Sequence, residues 1–260
     1  MGNVLELKGI CKSFKTFSLD SVSFTVPAGS VCGFVGINGA GKSTTVKIIE
    51  GLLKKDAGEV ILFGEKKLTS KVKSLIGFVP DSCYFYEKQT LLGVKKFISG
   101  MYDNWDEQAY RKYMDLFGLD EKKKTGELSK GMSMQFSLAL ALSHNAKLLI
   151  MDEPTSGLDP YIRSRIVNVL KEFVRNGENS VIFSTHILSD LEKTADKIVF
   201  IHDGRIVFEE KRDDLPLFFR EKYGIEHTTL DDSIVACIEQ LKIQASRFPN
   251  KAHAEGGAEK

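Results

Sequence analysis

Residues 36–44 read Gly-Ile-Asn-Gly-Ala-Gly-Lys-Ser-Thr, and no other stretch of the chain narrows the possible folds as much. The order satisfies G-x-x-x-x-G-K-[ST]. Before it, residues 31–35 (Val-Cys-Gly-Phe-Val) form a short β-rich run; after it, Val46, Ile49, Leu52 and Leu53 recur at helical spacing. The glycine cluster therefore joins a strand to a helix. Glycines let successive backbone N–H groups converge on one point, and the following helix adds its positive end. Lys42 supplies a point charge and Ser43 a hydroxyl able to ligate magnesium. The loop, with Gly36, Asn38, Gly39, Ala40, Gly41, Lys42, Ser43 and Thr44 as its binding residues, reads as a triphosphate site.

Two further elements carry chemistry. Residues 148–151 are an apolar run closed by Asp152 and Glu153, then Pro154. Carboxylates at the carboxyl end of a buried strand sit where open α/β sheets hold ligands. Such a pair alone also suits a helix cap or a turn; beside a phosphate cradle it suits metal and water. Asp152 can hold the magnesium shell, and Glu153, on the other side of the strand, can polarise an attacking water. His186 follows Ser184 and Thr185 at the end of the run 181–183 and is placed to donate to a terminal phosphate, the alternative being a structural histidine.

Around these elements the pattern is α/β. Short β-rich runs cover 4–7, 22–26, 60–63 and 76–79, the last ending at Pro80. Helical periodicity then replaces them over 90–143, which predicts a helical subdomain inserted into a sheet domain. Buried-strand runs return at 148–151, 181–183 and 198–201. Between the first two lies a helix striped by Ile162, Ile166, Val169, Leu170 and Phe173, with Asp159 as its N-cap and Pro160 at its first position. This alternation predicts a parallel sheet covered by helices. A segment over 213–244 places Leu230, Ile234, Ile238 and Leu241 on one helical stripe, read as a helix docked on the domain or as a regulatory module. From about residue 249 the chain is small and polar, which predicts disorder.

Composition excludes more than it specifies. Lys plus Arg number 36 against 35 Asp plus Glu, so charge gives no reason to expect nucleic acid as a partner. The cysteines Cys11, Cys32, Cys83 and Cys237 form no CxxC pair and read as cytosolic thiols. No leader-like progression opens the sequence, and no apolar run approaches the roughly 18 residues of a membrane span.

Taken together, the motifs resemble those of the ATP-binding-cassette (ABC) ATPases, in the family's order, over about residues 4–210. The loop 36–44 resembles the Walker A motif, 148–152 the Walker B strand followed by the catalytic Glu153, and 156–159 (Ser-Gly-Leu-Asp) the D-loop with Asp159. Ser184, Thr185 and His186 resemble the histidine switch. Residues 128–132, LSKGM, resemble the LSGGQ signature. Ser129 and Gly131 stand at a predicted helix N-terminus, a second anion site on physical grounds. Phe14, in KSF, resembles the aromatic that stacks on adenine, with Phe17 a second candidate.

The resemblance implies an α/β P-loop NTPase of the ABC-ATPase fold, with an antiparallel β subdomain and an inserted helical subdomain at about 84–145. The ATPase domain is expected over 1–212, a helical extension over 213–248 and a disordered tail over 249–260. ATP and Mg²⁺ are the implied ligands, with Ser43, Asp81 and Asp152 on the metal side and Lys42, Glu153 and His186 catalytic. It implies that Ser129 and Gly131 of one subunit close over the nucleotide of another, in a homodimer or a heterodimer with a related ATPase. The expected partner is a separate membrane permease, with the chain cytoplasmic and peripheral on the inner face of the membrane. The rival is a soluble ABC ATPase acting in translation, DNA repair or cofactor assembly.

Three positions depart from the family pattern, one of them Met132, which replaces the glutamine of the signature. Asp81 stands where a glutamine is usual, and a shorter carboxylate there alters the approach to metal and water. Lys130 replaces a glycine of the signature, where it either adds positive charge near nucleotide or is a solvated loop lysine. LSKGM resembles the signature of exporters whose permease is a separate chain.

Overall fold

Strands β1 (Asn3–Ser13) and β2 (Ser18–Pro27) put Leu5, Leu7 and Ile10, and Leu19, Val22, Phe24 and Val26, into one core. They pair antiparallel, and β4 (Ala57–Leu62) pairs antiparallel with the other edge of β1, giving the order β2-β1-β4. This computed structural model describes residues 2–82, 85–226 and 229–247. Strand β1 is longer than the expected 4–7 because its register shifts between Leu7 and Ile10, where Gly9 has φ 59°. The shift breaks the period-two alternation by which a strand is read from sequence.

The second sheet has six strands in the order β5-β6-β7-β3-β8-β9, formed by β3 (Val31–Val35), β5 (Ile76–Val79), β6 (Leu148–Asp152), β7 (Ser180–Thr185), β8 (Lys197–His202) and β9 (Arg205–Lys211). The pairs β5·β6, β6·β7, β7·β3 and β3·β8 are all parallel. Every residue of β3, β6 and β7 is buried, as in a sheet covered on both faces. Strand β9 is not legible in the sequence, because its charged end, Glu-Glu-Lys, masks an edge strand. It follows β8 through the turn Asp203-Gly204, whose φ values of 47° and 73° suit a two-residue reversal. A Cβ on Gly204 would lie 1.9 Å from the Ser18 carbonyl oxygen, so that turn presses against the start of β2.

Helix α1 (Lys42–Ile49) follows β3, and α2 (Ser70–Ser74) precedes β5. The expected helical insertion lies between β5 and β6 as α3 (Leu91–Ser99), α4 (Glu107–Phe117) and α5 (Lys130–Leu142). Side-chain caps start each: Thr90 accepts from Gly93 N–H, Asp106 from Gln108 and Ala109, and Ser129 from Met132. Residues 134–142 of α5 are all buried, which places that apolar run inside protein. Helix α6 (Pro160–Val174) begins at Asp159, which accepts from the N–H groups of Tyr161 and Ile162, and α7 (Leu188–Thr194) follows β7.

The contacts divide the chain into two units, one ending at Glu210 and one beginning at Lys211. The second contains α8 (Leu215–Tyr223), closed by Gly224 at φ 64°, and α9 (Leu230–Arg247). In α9, Leu230, Ile234 and Cys237 are buried. Cys83 and the tail from Pro249 lie outside the described residues.

One buried charge is unexpected. Glu50 caps α1, and both its carboxyl oxygens are shut off from solvent with no hydrogen-bond partner. Burial, and then repulsion from Asp152, push this carboxyl from 4.5 up to about 8. The folded chain thus holds the proton more tightly than the unfolded chain, and stability falls as pH rises from 4.5 towards about 8. Glu50→Gln removes the titration. Its melting temperature relative to the parent should rise by about 3 °C between about pH 5.5 and about pH 8.5; a difference independent of pH would mean that Glu50 titrates as an ordinary carboxylate.

Candidate functional site

The carboxyl ends of β3, β6 and β7 meet at one point because the three strands are parallel neighbours. Val35 pairs with Thr185, and Asp152 with Ser184. The segments that leave these ends therefore converge: the glycine loop after β3, Glu153 after β6 and His186 after β7.

The loop 36–41 turns back on itself through an Ala40 N–H bond to the Ile37 carbonyl, with Gly39 and Gly41 at φ 83° and 111°. At Gly41 a Cβ would lie 2.6 Å from Leu19 and 2.9 Å from Phe17, so both conformation and space require glycine there. Thr45 bonds back to the Gly41 carbonyl at 2.9 Å and fixes the first turn of α1.

Lys42 is only 5% exposed. Its Nζ donates to Gly36 O at 2.8 Å and Ile37 O at 3.4 Å, and lies 3.3 Å from Glu153 Oε1. The other Glu153 oxygen is 2.8 Å from His186 Nδ1. Glu153 has φ 49°, and its N–H is held by the Ser184 carbonyl at 3.0 Å and hydroxyl at 3.2 Å. This left-handed turn, uncommon for a side chain of this size, takes Glu153 out of the strand and directs it towards Lys42. The sequence expectation of a residue on the opposite strand face is corrected accordingly: β6 ends at Asp152.

Asp152 is buried at the strand end, where Oδ1 accepts from Ser43 Oγ at 3.2 Å and from Ser184 Oγ. The second bond was not legible in the sequence, where Ser184 figured only as a neighbour of His186. Ser43 and Asp152 form a hard-oxygen pair of the kind that holds magnesium with water and phosphate as the remaining ligands.

These groups border an open cavity of about 720 Å³ whose wall includes Asn38, Gly39, Lys42, Ser43, Thr44, Asp81, Glu153 and His186. Thr16, Ser156 and Asp203 also line it; neither Thr16 nor Asp203 belongs to a recognisable motif. Of the two aromatic candidates, Phe17 lies in the wall; Phe14, 47% exposed, stacks beside Phe17 with ring centroids 6.4 Å apart. Ser129, Gly131 and Asp159 are outside the lining. Ser129 and Asp159 spend oxygens on the caps of α5 and α6, and Gly131 packs against Ile162. Gly36 and Ala40, in the same loop, are also outside the lining; a Cβ on Gly36 would meet Ile201 O at 2.6 Å.

The family model described as ABC transporter matches residues 19–156. The bacitracin transport ATP-binding protein BcrA of Bacillus licheniformis is 33% identical, over 80% of this chain and 70% of the relative. The phosphonates import ATP-binding protein PhnC of Treponema denticola is 32% identical, over 82% and 91%. A solved structure of an ATP-binding subunit of an ABC transporter superposes with a TM-score of 0.79 at 27% identity, covering 89% of this chain and 98% of that one. No helix among the described residues is long and apolar enough to cross a membrane. With a strand, glycine loop and helix holding a buried lysine against the carboxylate that follows the next-but-one strand, and with this similarity across the family, the chain belongs to the ABC transporter family as one of its ATP-binding and ATP-hydrolysing cassettes.

Proposed function

We propose that this cassette powers export through a separate membrane permease, with two cassettes closing head to tail on ATP and loosening after hydrolysis. The observation that carries the catalytic part is the Lys42–Glu153–His186 cluster at the mouth of the glycine loop. An incoming triphosphate offers Lys42 stronger acceptors than the two carbonyls it now bonds, and the glycine loop offers convergent N–H groups. Lys42 and His186 then donate to the transferring phosphoryl group. Glu153, released from Lys42 and still beside His186, orients the attacking water and accepts its proton. Positioning and electrostatics supply most of the rate in such chemistry.

Ser43 and Asp152, with Asp81 at the cavity wall, would hold Mg²⁺, which neutralises phosphate charge when bound. Either Phe17, in the wall, or Phe14, beside it, is the proposed stacking partner for adenine. Ser129 and Gly131, outside the lining of this cavity, suit contact with a nucleotide held by a second cassette, whether identical or related. Residues 213–248 are a helical extension outside the ATPase domain in this reading. Relatives named for bacitracin transport and for phosphonate import are about equally similar, so the export part of this reading rests on the LSKGM signature. The chain would work in the cytoplasm, held to the inner face of the membrane by its permease.

Glu153→Gln keeps the shape of the site and removes the base. Its steady-state ATP turnover should fall about 10²- to 10⁴-fold while nucleotide binding and ATP-dependent dimers persist; undiminished turnover would take Glu153 out of this role. The transport reading has a separate test. Affinity purification from detergent-solubilised membranes should recover a polytopic membrane protein that changes the ATPase rate when reconstituted, whereas consistent recovery with ribosomes would overturn it.

A further inference from the structure

Lys130 is the first residue of α5, where an ammonium opposes the positive end of the helix dipole. The helix gains nothing from a lysine there. Its side chain passes over Gly157, in the segment after β6: a Cβ on Gly157 would lie 3.5 Å from Lys130 Nζ and 3.9 Å from Cδ. Beyond Gly157 the ammonium reaches Asp81 Oδ1 at 3.7 Å. Asp81 follows β5 and Pro80, lines the nucleotide cavity, and accepts weakly from Ser82 Oγ at 3.5 Å through its other oxygen.

A carboxylate in the wall of a cavity built for a polyphosphate repels its ligand unless a cation offsets it. Lys42 already faces Glu153 and two carbonyls. Among the described residues, Lys130 is the cation paired with Asp81. Resting on the reading of this cavity as the ATPase site, we propose that Lys130 is a positioning residue that holds and neutralises Asp81 at the cavity wall. Asp81 and Lys130 then work as one unit, joining the head of α5 to the loop after β5 beside Gly157.

The pair is about half exposed at both ends, so the expected effect is modest and sensitive to salt. Lys130→Gln should raise the KM for Mg-ATP about two- to fivefold with kcat within about twofold. In an Asp81→Asn background, where no carboxylate needs neutralising, Lys130→Gln should change KM no further. Lys130→Arg, which keeps the charge, should retain the parental KM, and the effect of Lys130→Gln should shrink as NaCl rises from about 0.05 to about 0.5 M. An equal rise in KM in both backgrounds, an unchanged KM in the Asp81 background, or a loss in Lys130→Arg matching that in Lys130→Gln would each overturn the proposal. The parent chain separates the two readings. If it failed to hydrolyse Mg-ATP, the ATPase assignment would fall, whereas parental turnover with additive variant effects would remove only the Asp81–Lys130 unit.

Discussion

An ammonium almost wholly withdrawn from water must be compensated locally, because an unpaired buried charge costs several kcal/mol. Lys42 meets that demand with two carbonyls of its own loop and one carboxylate from the next-but-one strand. The first two contacts force the loop 36–41 to fold back over the lysine, a path open only with glycine at positions such as 41. The third requires Glu153 to leave the end of β6 in a left-handed conformation, which the Ser184 carbonyl and hydroxyl secure. The geometry of three strand ends thus follows from satisfying one side chain. The same constraint makes the site responsive, since a ligand that binds Lys42 better than carbonyls do also frees Glu153.

The parallel sheet supplies the frame. Strand β3 lies between β7 and β8, and β6 flanks β7, so segments separated by more than a hundred residues end within hydrogen-bond reach of each other. Ser43 and Asp152 are 109 positions apart and meet at 3.2 Å. Asp152 lies at the centre of this arrangement, bonded to α1 through Ser43 and to β7 through Ser184. Its charge also contributes to keeping Glu50 protonated behind it.

Much of this site was legible in the sequence, because the chemistry depends on local order: a loop that must hold Gly39, Gly41, Lys42 and Ser43 together, and a strand that must close on Asp152 and Glu153. The cap at Asp159 was legible for the same reason, whereas Ser129, read as part of an anion site, accepts from Met132 as the cap of α5. What escaped depended on distant partners. The Ser184–Asp152 bond joins residues 32 positions apart, and the choice between Phe14 and Phe17 at the wall turns on how the 13–18 turn lies over Gly41. Strand β9 was hidden by edge-strand polarity, and β1 was read too short because its register shift interrupts the alternation. Glu50 belongs to no motif, and only packing reveals that both its oxygens are dry.

The central claim is that Lys42 and the glycine loop grip the phosphates of a nucleotide. Calorimetric titration of Mg-ATP into the purified parent chain and into Lys42→Ala tests it most directly. The parent should bind saturably below about 1 mM, and Lys42→Ala about 10- to 100-fold more weakly, the worth of a charge-assisted bond to phosphate. Absence of binding by the parent at millimolar nucleotide, or equal affinity in the two proteins, would contradict the account.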